Sequence, residues 1–117
     1  MKRDLDLARC ILRIIEETPT ARGWIDVVID GHSDAEISYH VKLLAHEGLI
    51  EATDLSSSDG FTWKPTSLTW AGHEFISAAK DESRWAKAKE IVVKKGGALS
   101  FEVLKAVLIE LMKKAVL

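Results

Sequence analysis

The stretch SDAEISYHVKLLAHEGLI, residues 33 to 50, constrains the fold of this chain more than any other segment. Ser33 and Glu36 have the S-x-x-E spacing of a capping box, in which each side chain bonds to a backbone amide at a helix start. Gly48 supplies the left-handed residue that ends many helices. The segment therefore predicts a helix from about residue 34 to residue 46, with three apolar residues on one face: Ile37, Val41 and Leu44.

The segments before this helix predict a second helix and a strand. In residues 4 to 17, apolar residues recur at spacings of three and four, which predicts an amphipathic helix that ends before Pro19. In GWIDVVIDG, residues 23 to 31, every second residue from 25 to 29 is apolar and β-branched. This alternation predicts a short strand that ends at the turn formed by Asp30 and Gly31.

The rest of the chain predicts a hairpin followed by helices. Residues 49 to 68 contain two extended runs separated by the loop composition DLSSSDG. Thr69 is the expected N-cap of the next helix, and the sequence leaves open whether residues 70 to 95 form one bent helix or two. Ser100 is the expected cap of a last amphipathic helix. The predicted fold class is α+β, mostly α with a small β-hairpin.

The size and composition of the chain limit its class. With 117 residues, 47% of them hydrophobic, the chain can build one core but not two independent ones. No apolar run reaches the roughly 18 to 20 residues of a membrane span, and the first residues lack the apolar centre of a signal peptide. We therefore expect a soluble, cytoplasmic protein. Cys10 is the only cysteine, so we expect a small core residue there and no disulfide within one chain.

Charge is distributed unevenly along the chain. The formal net charge is −2, but residues 24 to 75 carry two lysines and nine acidic residues. Residues 76 to 117 carry nine basic and five acidic residues. Non-specific affinity for DNA comes mainly from Lys and Arg side chains that release counterions from phosphates. The acidic middle of the chain therefore favours a partner with a basic surface.

Neither a metal site nor a catalytic site is predicted. The four histidines, His32, His40, His46 and His73, contain no pair at the four-residue spacing that places two imidazole ligands on one helix face. We expect His40, next to the apolar stripe, to be a partly buried, hydrogen-bonded histidine. The sequence shows no nucleophile paired with a base and no phosphate-binding glycine loop. We therefore expect a protein without catalytic activity, metal or cofactor.

Several longer motifs resemble known families. The order of elements, with a helix ending in GLI, a polar-tipped hairpin and the motif LT-x-x-G-x-x-F-I, is similar to the winged-helix superfamily of small bacterial regulators. More narrowly, MKRDLDLARCIL, ISYHVKLLAHEGLIEA and LTWAGHEFISAAKDESRW resemble an uncharacterised bacterial and prophage family, a domain of unknown function. The resemblance implies a winged-helix-like domain over residues 1 to 80 and a phage setting. It implies a helical extension over residues 81 to 117, packed on that domain or mediating dimerisation.

The resemblance also implies a DNA-reading surface. In the regulator superfamily, the helix that matches residues 34 to 47 lies in the major groove, and the hairpin tip, here Ser56 to Gly60, forms the wing. Lys64 in the hairpin is a further candidate contact. The groove-facing residues would then be Ser38, Tyr39, Lys42 and His46. The candidate phosphate contacts on a later helix are Arg84, Lys87, Lys94 and Lys95.

Two functions follow from these observations, with a DNA-binding regulator as the leading hypothesis and a protein-interaction module as a nearly equal alternative. The resemblance favours a phage-type regulator that binds double-stranded DNA, acting as a homodimer through the C-terminal helix. The acidic charge favours a protein-interaction module that binds a basic surface on a host or phage protein, as a DNA mimic or an anti-repressor. The segment WIDVVIDGH also favours the second interpretation, because a helix-turn-helix needs a helix before the reading helix.

Overall fold

The computed structural model describes residues 1–19, 23–94 and 100–116. Within these ranges the chain forms five helices and one two-stranded antiparallel sheet. The α+β class predicted from the sequence, mostly helical with a small hairpin, is confirmed. In chain order the elements are α1 (Leu5–Glu17), α2 (Asp34–His46), β1 (Ile50–Asp54), β2 (Trp63–Leu68), α3 (Trp70–Ala79), α4 (Glu82–Lys94) and α5 (Phe101–Val116).

The chain divides into two compact units, Met1–His73 and Glu74–Leu117. The division falls within α3, earlier in the chain than the boundary at residue 80 expected from the sequence. The first unit contains α1, α2, both strands and the start of α3. The second contains the rest of α3 together with α4 and α5.

The core of the first unit lies between α1, α2 and the hairpin. Helix α1 packs against α2 and β2, and α2 packs against both strands. Helix α1 begins at Asp4, whose carboxylate accepts hydrogen bonds from the backbone N–H groups of Asp6 and Leu7. Cys10, expected in the core, is half-buried. The buried apolar side chains of α1 and α2 are Leu5, Leu7, Ala8, Ile11, Leu12, Ile15, Ile37, Val41 and Leu44.

Helix α2 begins and ends as its sequence predicts. The Ser33 hydroxyl accepts a hydrogen bond from the N–H of Glu36 at 3.1 Å, and the Glu36 carboxylate accepts one from the N–H of Ser33 at 3.1 Å. This confirms the capping box. After the helix, Gly48 has a φ of 79°, in the left-handed region that favours glycine. The chain then enters β1, which pairs with β2 from Ile50 opposite Leu68 to Asp54 opposite Trp63.

The prediction of a strand before α2 is wrong. Residues 24–29 form no strand, although their burial alternates as in an extended chain. The segment bonds to the hairpin through the Ile25 N–H, which donates to the Pro65 carbonyl oxygen at 2.8 Å. The facing edge of β2 offers few groups for a ladder, because Pro65 has no N–H and Ser38 already bonds to the backbone of Trp63. We call residues 24–30 the extended segment.

The join between the hairpin and α3 is tight. The Thr69 hydroxyl accepts a hydrogen bond from the N–H of Gly72, which confirms Thr69 as the N-cap, and it donates to the Gly48 carbonyl oxygen at 2.6 Å. A Cβ added at Gly72 would overlap the carbonyl oxygen of Leu49. Glycine is therefore required at residue 72 by close approach of two backbone segments.

The second unit is built around aromatic residues of three helices. The ring of Phe75 makes edge-to-face contacts with Trp85 and Phe101, at centroid distances of 6.4 Å and 5.3 Å. Two separate helices, α3 and α4, occupy residues 70–94, which answers the question left open by the sequence. The expected cap of α5 is confirmed, because the Ser100 hydroxyl accepts a hydrogen bond from the N–H of Val103. Within the described ranges, no helix is long and apolar enough to cross a membrane.

Candidate functional site

The residues nominated on α2 separate into one buried residue and three accessible ones. Ser38 is only 6% exposed. Its hydroxyl accepts a hydrogen bond from the N–H of Trp63 at 3.1 Å and lies 3.5 Å from the Trp63 carbonyl oxygen. Ser38 is therefore buried and does not face outward with the other residues of the predicted groove-facing set. Its side chain instead bonds the hairpin to α2.

The three other residues nominated on α2 are spaced by three and four and lie on one side of the helix. The Lys42 ammonium group lies 5.9 Å from the centroid of the Phe61 ring. His46, which is exposed, makes an edge-to-face contact with Trp63 at 6.0 Å. Tyr39 is half-buried and makes an edge-to-face contact with the His40 ring. Tyr39, Lys42 and His46 thus remain accessible, and Lys42 and His46 lie beside the aromatic residues Phe61 and Trp63 of the hairpin.

Carboxylates interact with the two lysines of residues 24–73. Hydrogen bonds from Ser56 are the main cause that lowers the pKa of the Asp54 carboxyl below its ordinary value, and the positive charge of Lys42 lowers this pKa further. The Lys64 ammonium group forms an ion pair and hydrogen bond with the carboxylate of Asp26. Lys64 is therefore paired with a carboxylate, and the charge of Lys42 interacts with that of Asp54.

The nominated cations of the second unit that the structure describes interact with groups on α3 or α4. The Arg84 guanidinium donates to the carbonyl oxygen of Ala78 at 2.9 Å. Lys94 forms an ion pair with Glu90 at 2.8 Å, which raises the pKa of Lys94 and lowers that of Glu90. Lys87 is exposed, and its charge also lowers the pKa of Glu90. Lys95 lies outside the described residues.

His40 is more deeply buried than the sequence indicated. It is 2% exposed, and its Nδ1 lies 2.8 Å from the carbonyl oxygen of Glu36. Its Nε2 accepts a hydrogen bond from the backbone N–H of Asp4, also at 2.8 Å. Because Nε2 accepts this bond, Nδ1 carries the hydrogen and donates to the carbonyl. His40 therefore ties the start of α1 to α2, and this long-range contact has no signal in the sequence.

A groove in the first unit was missed by the sequence interpretation. It has a volume of about 510 Å³ and lies between the extended segment, the first turns of α2 and the start of β2. Its lining includes the apolar residues Ile25, Val28 and Ile37 and the carboxylates of Asp26 and Asp34. The alternation in GWIDVVIDG predicts an extended chain, but it does not predict the open space beside that chain. The described residues contain no group of three or more His, Cys, Asp or Glu side chains that could hold a metal ion.

Comparison with known proteins identifies the family. A family described as "Hypothetical protein (DUF2513)" matches residues 2–98. The chain belongs to this family. It is also 39% identical over 110 residues to an uncharacterised protein of Haemophilus influenzae (strain ATCC 51907 / DSM 11121 / KW20 / Rd), with 92% of each chain covered. No solved structure shows significant similarity to this chain. The predicted membership of an uncharacterised family is confirmed, and neither the family description nor the relative's name gives an activity.

Proposed function

We propose that this DUF2513 protein is a non-catalytic, cytoplasmic interaction module that binds a basic surface on another protein. Its first unit has a winged-helix-like order of elements, in which α2 corresponds to the reading helix and the β1–β2 hairpin to the wing. The observation that carries the proposal is the charge around α2. Residues 24–73 contain eight acidic residues and two lysines. Lys64 is paired with Asp26, and the charge of Lys42 interacts with that of Asp54.

The exposure of the acidic residues supports the same function. Of the eight carboxylates in residues 24–73, all but that of Glu36 belong to exposed residues. Exposed charges of one sign attract partners of opposite charge and repel those of like charge. A phosphate backbone approaching α2 would therefore meet repulsion, whereas a lysine-rich or arginine-rich protein surface would be attracted.

Binding of two labelled probes tests this proposal. We expect fluorescence anisotropy to show salt-sensitive binding of an octalysine peptide and no binding of a duplex of about 20 base pairs, at about 10 μM protein and about 50 mM salt. The double variant Asp30→Lys/Asp34→Lys should weaken peptide binding. The matched control is Glu102→Lys/Glu110→Lys, which reverses the charge of two exposed residues of the second unit. Peptide binding that is absent, or equally weakened by the control, would contradict the proposal.

A DNA-binding regulator is the second candidate function. The observation that favours it is the accessible side of α2, which carries Tyr39, Lys42 and His46. On this side Lys42 lies beside Phe61, and His46 lies beside Trp63. In this function they would approach the major groove, with phosphate contacts from Lys87 and from the other basic residues nominated above. Association through α5 would then supply a two-fold arrangement for paired half-sites.

The substitution Lys42→Glu separates the two functions. Under the DNA-binding function, it should abolish salt-sensitive duplex binding, because it replaces a phosphate-compatible cation with a carboxylate. Under the protein-interaction function, it should leave octalysine binding unchanged or slightly stronger. Duplex binding by the wild-type protein that is lost in Lys42→Glu would replace the first proposal with the second.

A further inference from the structure

The extended segment has the sequence of a strand but no partner strand. Among the described residues, the backbone N–H groups of Asp26, Val27 and Val28 have no hydrogen-bond partner within the protein. Val28 is 80% exposed and Trp24 is 55% exposed, which is unusual for large apolar side chains in a strand-like sequence. Unpaired backbone groups on an extended chain are a template for a strand from another molecule.

The lining of the groove beside the extended segment combines apolar and acidic side chains. This lining includes the apolar residues Val27, Val28 and Ile37 and the carboxylates of Asp26 and Asp34. Lys64, the cation in this lining, forms an ion pair with Asp26. The Asp26 side chain is nevertheless 73% exposed. An extended peptide with alternating basic and apolar residues could place its basic side chains near these carboxylates and its apolar side chains near the apolar lining. Successive side chains of a strand point to opposite faces, so the two kinds of side chain are separated.

A second copy of this chain fits the segment less well. In an antiparallel pair of two extended segments centred on Val28, Asp26 of each copy would lie opposite Asp30 of the other. Like charges directly opposite one another destabilise a strand pair. The same carboxylates would instead form ion pairs with lysine or arginine side chains on a partner strand.

We propose that the extended segment and its groove bind an extended, cationic segment of a partner protein, which adds as a strand alongside residues 26–30. This inference rests on the proposed protein-interaction function and names the site and the chemistry of the partner. Main-chain hydrogen bonds to the N–H groups of Asp26 and Val28, which point to the same side of an extended chain, provide general affinity. Asp26 and Asp34 select basic side chains. Lys64 competes with the incoming cation for Asp26.

Nuclear magnetic resonance of the labelled full chain tests the site. The probe is a six-residue peptide that alternates lysine and valine, and the controls are a glutamate–valine peptide and a lysine–valine peptide N-methylated at alternate amides. We expect the lysine–valine peptide to shift the amide signals of residues 26–30. The N-methylated peptide should bind roughly tenfold more weakly, because it loses two or three hydrogen bonds of the added strand. The glutamate–valine peptide should not bind.

Substitutions at the groove sharpen the test. Asp26→Asn should weaken binding of the lysine–valine peptide by up to about fivefold, the usual range for an exposed ion pair. Lys64→Gln should strengthen it, because Asp26 loses its internal partner. A purely structural role for the Asp26–Lys64 pair would instead move both variants in the same direction.

The outcomes also separate this inference from the proposed function. Two results together would overturn the groove as the binding site but keep the protein-interaction function. Charge reversal at Asp30 and Asp34 would weaken octalysine binding, and the lysine–valine peptide would shift only amide signals outside residues 26–30. Equal affinity for the N-methylated peptide would overturn strand addition. Concentration-dependent shifts at residues 26–30 in the protein alone would assign the segment to self-association and overturn the cationic partner.

Discussion

Residues 63–68 and residues 24–30 of the first unit both have extended backbone, but only residues 63–68 form a strand. Residues 63–68 pair with β1, and the backbone of Trp63 also bonds to the buried Ser38 hydroxyl. Residues 24–30 have a higher content of β-branched apolar residues, yet they bond to the hairpin backbone through Ile25 and leave Val28 largely exposed. The difference shows that strand propensity describes a fit to a pleated surface, while the available partner edge decides whether a ladder forms.

The same difference separates the structural and the accessible parts of the first unit. The hairpin is fixed on one side by Ser38 of α2 and at its end by the N-cap Thr69 and by Gly72 of α3. The extended segment has few such attachments. If this comparison is correct, substitutions at the hairpin attachments should lower stability, whereas substitutions in the extended segment should change binding and leave stability nearly unchanged.

The largest expected effect is that of Gly72→Ala. An alanine in a helix normally stabilises relative to glycine, but here the added Cβ would overlap the Leu49 carbonyl oxygen and force the backbone to move. We expect a loss of about 1–3 kcal/mol in the free energy of unfolding, measured by urea denaturation. Ser77→Ala, at an exposed residue of the same helix, is the control and should stay within about 0.5 kcal/mol. Stabilisation by Gly72→Ala would mean that the hairpin and α3 are not closely joined in solution.

A smaller effect is expected for Ser38→Ala. This substitution leaves the N–H of Trp63 without its side-chain acceptor in a partly buried place. The expected loss is about 1–2 kcal/mol in the free energy of unfolding, the cost of an unsatisfied buried donor. Ser58→Ala at the exposed hairpin tip should have almost no effect. If the two variants are equally stable, the contact between Ser38 and Trp63 does not hold the hairpin on α2.

Local signals in the sequence predicted most of the elements. The capping box at Ser33 and Glu36, the glycine at residue 48 and the caps at Thr69 and Ser100 are contacts within a few residues, so short motifs reveal them. The buried roles of Ser38 and His40 depend on Trp63 and Asp4, which are far away in the sequence. Helical spacing alone could not separate Ser38, which faces the hairpin, from the accessible Lys42 one turn later.

The groove was unpredictable for the same reason. Alternation in residues 24–30 indicates an extended chain, but it does not tell whether a neighbouring edge has free donors. That depends on Pro65 and on the Ser38 hydroxyl, which block the facing edge of β2. The acidic charge of the middle of the chain was visible from the sequence, whereas the pairing of Lys64 with Asp26 required the fold.

The capping box predicts a modest dependence of stability on pH. The N–H of Ser33, followed by His32, lowers the pKa of Glu36 below its ordinary value of 4.5 in the folded protein. As pH falls, the unfolded chain therefore binds this proton before the folded protein does. The stabilisation by Glu36 is complete above about pH 4.5 and is lost as pH falls through the lower folded pKa. Denaturation between pH 6 and pH 3 should show a shallower acid loss for Glu36→Gln than for the wild-type protein, and identical slopes would contradict this role.

The smallest expected change in stability is that of Val28→Thr. Because Val28 is 80% exposed and lies in a segment without a ladder, this nearly isosteric change should alter the free energy of unfolding by less than about 0.5 kcal/mol. Val41→Thr makes the same change at a fully buried residue of α2 and should cost about 1–3 kcal/mol, because it buries a hydroxyl. Hydrogen exchange gives the matching local measurement, with fast exchange expected at the amides of residues 26–28 and slow exchange in the paired strand. A large loss for Val28→Thr, or slow exchange at residues 26–28 in the protein alone, would show that the extended segment already has a partner and would remove the contrast with residues 63–68.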